Sequence, residues 1–169
     1  ISIAAWVKSA GGVYQAYVKK GDGYELLQVA DTRWQLPGRS IALLSSNSGS
    51  GGIGYNYNLN HWDHVIVTYD TTSGVASMYL NGVLWKSQKG ATKGPTGADT
   101  SMYFGNQPAD GSSGDNWPYG YPTKFWIDDI AIYNVAIDDA VALDIYQNGP
   151  ALLQAHEHSP FYQQEFSAA

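Results

Sequence analysis

The sequence predicts an all-β protein, an antiparallel β-sandwich of the jelly-roll type with one short helix near the C-terminus. Three observations support this fold class. The 169 residues include 19 glycines, 13 tyrosines and 6 tryptophans but few glutamates, a composition that favours strands and turns over helices. Short runs of alternating apolar and polar residues follow one another between turn signals. One of these signals, Asn81-Gly82, is a strong hairpin sequence.

The alternating runs predict strands at residues 2–8, 13–20, 24–30, 40–45, 53–58, 62–70, 75–80, 83–87, 101–105 and 124–133. Glycine-rich turns separate the early strands, and a Ser/Gly/Asn loop precedes the fifth. The last strand is apolar on both faces, which predicts that it is central or covered on both sides. A helix follows it, with Asp138 as N-cap, and Asn148-Gly149-Pro150 ends the helix.

Residues 1–149 are predicted to form one domain, and 150–169 a C-terminal arm or linker with weak periodicity. The connection over 106–122 is long and rich in Gly, Pro, Asp and aromatic residues. Loops of this length in a compact domain are often functional. This loop is therefore the first place to look for a binding site.

Composition excludes several classes of protein. Nine Lys and Arg against fifteen Asp and Glu give a net charge of −6, which disfavours a nucleic-acid partner and suits cation binding. No run of apolar residues is long enough to span a membrane. The absence of cysteine excludes disulfides and thiolate metal sites.

Five segments in order resemble motifs of laminin-G-like domains, which belong to the concanavalin A-like lectin/glucanase superfamily of jelly rolls. The segments are ISIAAWVK at 1–8, WDHVIVTYD at 62–70, MYLNG at 78–82, YFG at 103–105 and IDDIAIYN at 127–134. The resemblance implies an extracellular, cell-surface or virion protein.

The sequence departs from this family pattern in two places. The family usually has a further strand before the segment matched by 1–8, placed beside the closing strand 124–133. We therefore expect that strand to come from a larger polypeptide or from a neighbouring chain, since an apolar edge without a partner favours aggregation. The second departure is Trp126, which stands where the family often has glycine.

The loop 106–122 carries side chains suited to sugars. Aromatic faces can cover the apolar side of a pyranose, while amide and carboxylate groups bind its hydroxyls. The predicted ligand-binding residues are Asn106, Gln107, Asp115, Asn116, Trp117, Tyr119 and Tyr121. The alternative is that these aromatic residues pack onto the sandwich and close it. Trp6, Trp34, Trp62 and Trp85 lie in or beside predicted strands and are expected to fill the core or the barrel end rather than to contact ligand.

Carboxylates suggest a Ca²⁺ site, since Ca²⁺ prefers oxygen ligands from loops. Alternation places Asp128 on the core-facing side of the last strand with Ile130, where an unpaired carboxylate would be costly. The alternative is that Asp128 accepts backbone N–H groups or pairs with a basic side chain. The predicted metal ligands are Asp128, Asp110 and Asp115.

Catalysis is not expected. Glycosidases of the superfamily carry two carboxylates from a Glu-x-Asp-x-(x)-Glu strand, and none of the three glutamates here lies in such a strand. The sequence therefore predicts a non-catalytic binding or adhesion module for an extracellular glycan. The alternative is an assembly module of a surface or phage protein, which would contact neighbouring protein chains or form a homo-oligomer.

Overall fold

The computed structural model describes residues 1–10, 15–20, 24–29, 40–44, 53–90, 102–104 and 125–149. In chain order these form β1 (Ser2–Ser9), β2 (Gln15–Lys20), β3 (Tyr24–Val29), β4 (Ser40–Leu44), β5 (Ile53–Asn56), β6 (Trp62–Asp70), β7 (Val75–Leu80), β8 (Val83–Lys89), β9 (Met102–Phe104), β10 (Phe125–Tyr133) and α1 (Asp139–Asn148). The all-β fold class and the single short helix predicted from the sequence are confirmed for this part of the chain.

The strands form two five-stranded sheets. The first sheet has the order β10-β1-β6-β7-β8, and the second has the order β5-β4-β3-β2-β9. All the strand pairs are antiparallel. Within the described residues β10 is an edge strand, so it is not central as its apolar sequence suggests. The expectation of a further strand beside it stays a prediction.

The main core lies between the two sheets. Alternate residues of β1 and β6, such as Val7 and Val65, face inward and meet residues of β2 and β5. Tyr17, Ile53 and Met78 are among the largest fully buried side chains there. Burial of this apolar surface is the main stabilising contribution to a sandwich fold.

A second, smaller core lies on the outer face of the first sheet, where α1 packs. Ala142 and Ile145 of α1 are buried with Ile66 and Tyr79 of the sheet. The helix begins as the sequence predicts, because the Asp138 carboxylate accepts the N–H of Val141 at 2.9 Å. It ends at Gly149, whose N–H donates to the carbonyl of Ile145. None of the helices in the described ranges is long and apolar enough to cross a membrane.

Ser2 fixes the segment that leads from β10 to α1. Its side chain is buried, its hydroxyl donates to the carbonyl of Val135 at 2.7 Å, and it accepts the N–H of Ile137 at 3.0 Å. These two bonds satisfy backbone groups that would otherwise be buried without a partner. A residue of β1 thus fixes the direction in which the chain enters α1.

Candidate functional site

Two tryptophans and a lysine form a row across three neighbouring strands of the first sheet. In the strand register Lys8 of β1 lies opposite Trp126 of β10 on one side and Trp62 of β6 on the other. The Lys8 Nζ atom lies 4.9 Å from the centroid of the Trp126 ring and 5.9 Å from that of Trp62. Both distances are within the range of cation–π attraction. We call these three side chains the Trp–Lys–Trp row.

The row lies on the outer face of the sheet. Val7 and Ile127 point into the core between the sheets, so their neighbours Lys8 and Trp126 point away from it. The Trp126 side chain is 47% exposed, whereas Trp62 and Lys8 are partly buried. The row is thus an amphipathic surface of aromatic faces around one cation.

An aromatic cluster supports the row from the side of α1. The Trp6 ring lies 5.2 Å from that of His64 and 5.7 Å from that of Tyr146, and the His64 and Tyr146 rings are 5.8 Å apart. Burial lowers the pKa of His64 to about 4, although the nearby charge of Asp129 opposes the shift. His64 is therefore a neutral packing residue at physiological pH.

A buried polar cluster lies at the same end of the sandwich, on the inner face. The Tyr55 hydroxyl donates to Asp63 Oδ2 at 3.0 Å, and His61 Nδ1 lies 3.2 Å from Asp63 Oδ1. Burial, with the neighbouring carboxylate, raises the pKa of Tyr55 far above its usual value, so the hydroxyl stays a donor. Asp63 is thereby satisfied by hydrogen bonds inside the fold.

A groove of about 660 Å³ lies beside the start of α1, and Asp70, Ser77, Tyr79, Asp138 and Asp139 are among the residues that line it. Its carboxylates already have partners. Asp70 accepts from Ser73 and from the N–H of Thr72, which lowers its pKa. Asp138 caps α1, and Asp139 accepts the Tyr79 hydroxyl at 3.0 Å. These carboxylates shape the turn and the helix, so the groove is a weaker candidate than the row.

The loop residues predicted to bind ligand lie outside the described residues: Asn106, Gln107, Asp115, Asn116, Trp117, Tyr119 and Tyr121. The predicted metal ligands Asp110 and Asp115 also lie outside them. The loop rejoins the described chain at β10, and Trp126 is the second residue of that strand. The row and the end of the predicted loop are therefore close together in the chain.

The expectation that Asp128 faces the core is wrong. The β1–β10 register is irregular between Ala4 and Trp6, and Asp129 has a φ of 48° at that point. Such a bulge inserts an extra residue into the strand and shifts the alternation. Ile127 and Ile130 therefore both pack on the core, while Asp128 is exposed and accepts the N–H of Asp129 at 2.9 Å. One alternative considered for Asp128, a backbone hydrogen bond, is thus observed.

The tryptophans fall into two groups. Trp6 and Trp62 are partly buried on the outer face of the first sheet, where the Trp6 ring packs beside those of His64 and Tyr146, whereas Trp34 lies outside the described residues. Trp85 is 58% exposed on the edge strand β8, so the expectation that it fills the core is wrong. Sequence reasoning missed the row, although Trp126 in place of the family's glycine was a signal for it.

A family model described as the concanavalin A-like lectin/glucanases superfamily, of the laminin G type, matches residues 1–141. The chain belongs to this superfamily. The match covers β1 to the first turn of α1 and therefore includes all three residues of the row. We found no match among curated proteins.

Solved structures share the fold at low sequence identity. A putative carbohydrate-binding protein from Bacteroides ovatus has a TM-score of 0.62 and 17% identity over 87% of this chain and 40% of that protein. Domain 4 of an extracellular arabinanase from Geobacillus stearothermophilus, solved with arabinotriose, has a TM-score of 0.57 and 22% identity, over 86% of this chain and 66% of that one. The binding domain of botulinum neurotoxin DC, solved with rat synaptotagmin II, has a TM-score of 0.57 and 19% identity, over 86% of this chain and 35% of that domain. This chain thus spans about a third of the length of the neurotoxin binding domain.

Proposed function

We propose that this protein is a non-catalytic, lectin-like module that binds an extracellular glycan through the Trp–Lys–Trp row. The observation that carries the proposal is the exposed Trp126 indole, held on strand β10 next to a lysine, whose other side faces a second indole. A rigid indole can cover the apolar face of a sugar ring, and adjacent polar groups can bind its hydroxyls.

The physical setting supports this proposal. Apolar side chains gathered on a protein surface mark interaction sites more than single ones do, and the row gathers two aromatic faces at one place. The row lies on β-strands, which hold a binding surface more precisely than loops do. The structural relatives include a protein solved with arabinotriose, and the superfamily contains lectins.

Replacing Trp126 with alanine is expected to weaken glycan binding at least about fivefold, because an aromatic anchor at the centre of an interface commonly contributes more than about 1 kcal/mol. A glycan array identifies an oligosaccharide that binds the wild-type protein, and isothermal titration calorimetry then compares the two proteins. The matched control is Trp85→Ala, since Trp85 is exposed on β8 at the opposite edge of the same sheet. Equal affinities of Trp126→Ala and Trp85→Ala would contradict the proposed site.

A calcium requirement stays a prediction from the sequence. Within the described ranges no group of three or more His, Asp or Glu side chains could hold a metal ion. Asp128 is exposed and has acceptor capacity left beside its bond to Asp129, while the other predicted ligands lie in the loop outside those ranges. The same titrations in Ca²⁺ and in EDTA decide the matter: we expect weaker binding in EDTA, and equal affinities would exclude the requirement.

An assembly function is the second candidate, favoured by a different surface. Val83, Leu84 and Trp85 of β8 are 65%, 41% and 58% exposed, so an apolar segment lies on a sheet edge. Light scattering after size exclusion separates the two functions. Oligomers that Trp85→Ala dissociates, together with no glycan binding by the wild-type protein, would favour assembly in a cell-surface or virion protein.

A further inference from the structure

The charge at the centre of the row restricts which sugars it can bind. Lys8 is the basic residue of the row, and in the described part of the chain no carboxylate lies within ion-pair distance of it. The two indole rings hold its ammonium group by cation–π attraction, which leaves the charge intact. An ammonium carries three N–H donors, so some remain available to a ligand.

We propose that the Trp–Lys–Trp row binds sugars that carry a carboxylate, with Lys8 binding the carboxylate and the indole of Trp126 covering the ring face. This inference rests on the proposed function and names its ligand class. A cation beside aromatic faces matches a ring that is apolar on one side and anionic at one substituent. A neutral sugar would use the indoles but would leave the ammonium without an anion.

The surroundings favour a ligand with one negative charge per sugar over a densely sulfated polyanion. Asp128 lies on the same face, at the register position of Trp6, and is exposed. Asp129 is its exposed neighbour, and the whole chain has a net charge of −6. The negative charge of the protein would repel a highly sulfated chain strongly, whereas it would repel a single carboxylate bound at Lys8 less. Asp128 can also accept sugar hydroxyls.

The test compares three probes in calorimetry: a galactose trimer, a galacturonic acid trimer and a densely sulfated oligosaccharide of similar length. We expect the wild-type protein to bind the uronate trimer at least about tenfold more tightly than the neutral trimer, with a preference that falls as salt rises. The sulfated probe should bind no more tightly than the uronate. Tighter binding of the sulfated probe would overturn the assignment to carboxylates.

Two substitutions at one position isolate the charge. Lys8→Met keeps an unbranched apolar stem against the indoles and removes the ammonium, so the ratio of uronate to neutral affinity should fall to about one. Lys8→Arg keeps the charge and should keep a ratio well above one. Thermal unfolding of both variants verifies that they are folded. A ratio unchanged in Lys8→Met would overturn the inference.

Different results would reject glycan binding at the row and the preference for acidic sugars. If the wild-type protein binds both trimers equally and Trp126→Ala loses both, the glycan-binding function stands and the acidic-sugar inference is wrong. If the wild-type protein binds the sulfated probe alone, it does not recognise carboxylates and the inference is again wrong. If it binds none of the three probes, the acidic-sugar inference is wrong, and the glycan array with Trp126→Ala decides separately whether the row binds a glycan.

Discussion

Replacing Gly82 with valine is expected to lower the free energy of unfolding by about 3–4 kcal/mol. Gly82 ends the Asn81-Gly82 turn between β7 and β8 with a φ of +80°, a conformation that side chains with a Cβ rarely adopt. A Cβ atom there would also lie 3.0 Å from Cδ1 of Tyr146 and 3.1 Å from Cδ1 of Leu143. Both are side chains of α1, so the substitution strains the turn and pushes the helix from the sheet. Urea denaturation followed by circular dichroism measures the loss.

Gly90 provides a matched control for this prediction. It also has a positive φ, +70°, but a Cβ there would meet no atom within 4 Å. Gly90→Val therefore carries the backbone strain alone, about 1–2 kcal/mol. The difference between the unfolding free energies lost in Gly82→Val and in Gly90→Val measures the steric contact between the turn and α1. Equal losses would mean that α1 does not pack against this hairpin.

Lowering the pH from 7 to about 4.5 is expected to destabilise the protein through His64 by roughly 2–3 kcal/mol. The His64 side chain is buried, and its Nδ1 atom has no hydrogen-bond partner within the described structure. Its pKa is about 4 in the folded protein against 6.5 as the ordinary value, because burial penalises the charged ring. Between these values the unfolded chain binds a proton that the folded protein does not. The stability that neutral His64 contributes is therefore fully present above pH 6.5 and is lost as the pH falls toward 4.

The variant His64→Phe isolates this effect from the carboxylates, which titrate in the same range in both proteins. Phenylalanine keeps a ring against Trp6 and Tyr146 and cannot be protonated. The difference in unfolding free energy between the variant and the wild-type protein should grow as the pH falls from 7 to 4.5. Parallel stability curves would show that His64 is not buried in its neutral form.

Much of the fold could be predicted from local patterns. Alternation and turn residues indicated the strands, because alternate residues such as Ala76 and Met78 of β7 face the core. The helix was predictable from Asp138 and Gly149, whose capping bonds depend on near neighbours in sequence. The apolar outer face of β10 indicated a covered strand, and α1 covers part of that face, but a sequence does not show which element covers a strand.

The candidate site could not be predicted in the same way. The position of Asp128 depended on a bulge at Asp129, and a single extra residue reverses which side chains face the core. The row combines residues 8, 62 and 126, which come together only through the register of three strands. Trp126 alone carried a local signal, as an indole at a position where glycine is common in the family.

Nuclear magnetic resonance of the tryptophan indole N–H groups tests the central claim most directly, because each of the six tryptophans gives its own signal. Single Trp→Phe variants assign the signals, and the protein is then titrated with the galacturonic acid trimer. We expect the signals of Trp126 and Trp62 to shift together and to saturate, while that of Trp85 stays in place. Saturating shifts confined to other tryptophans, with Trp126 and Trp62 unmoved, would contradict the account.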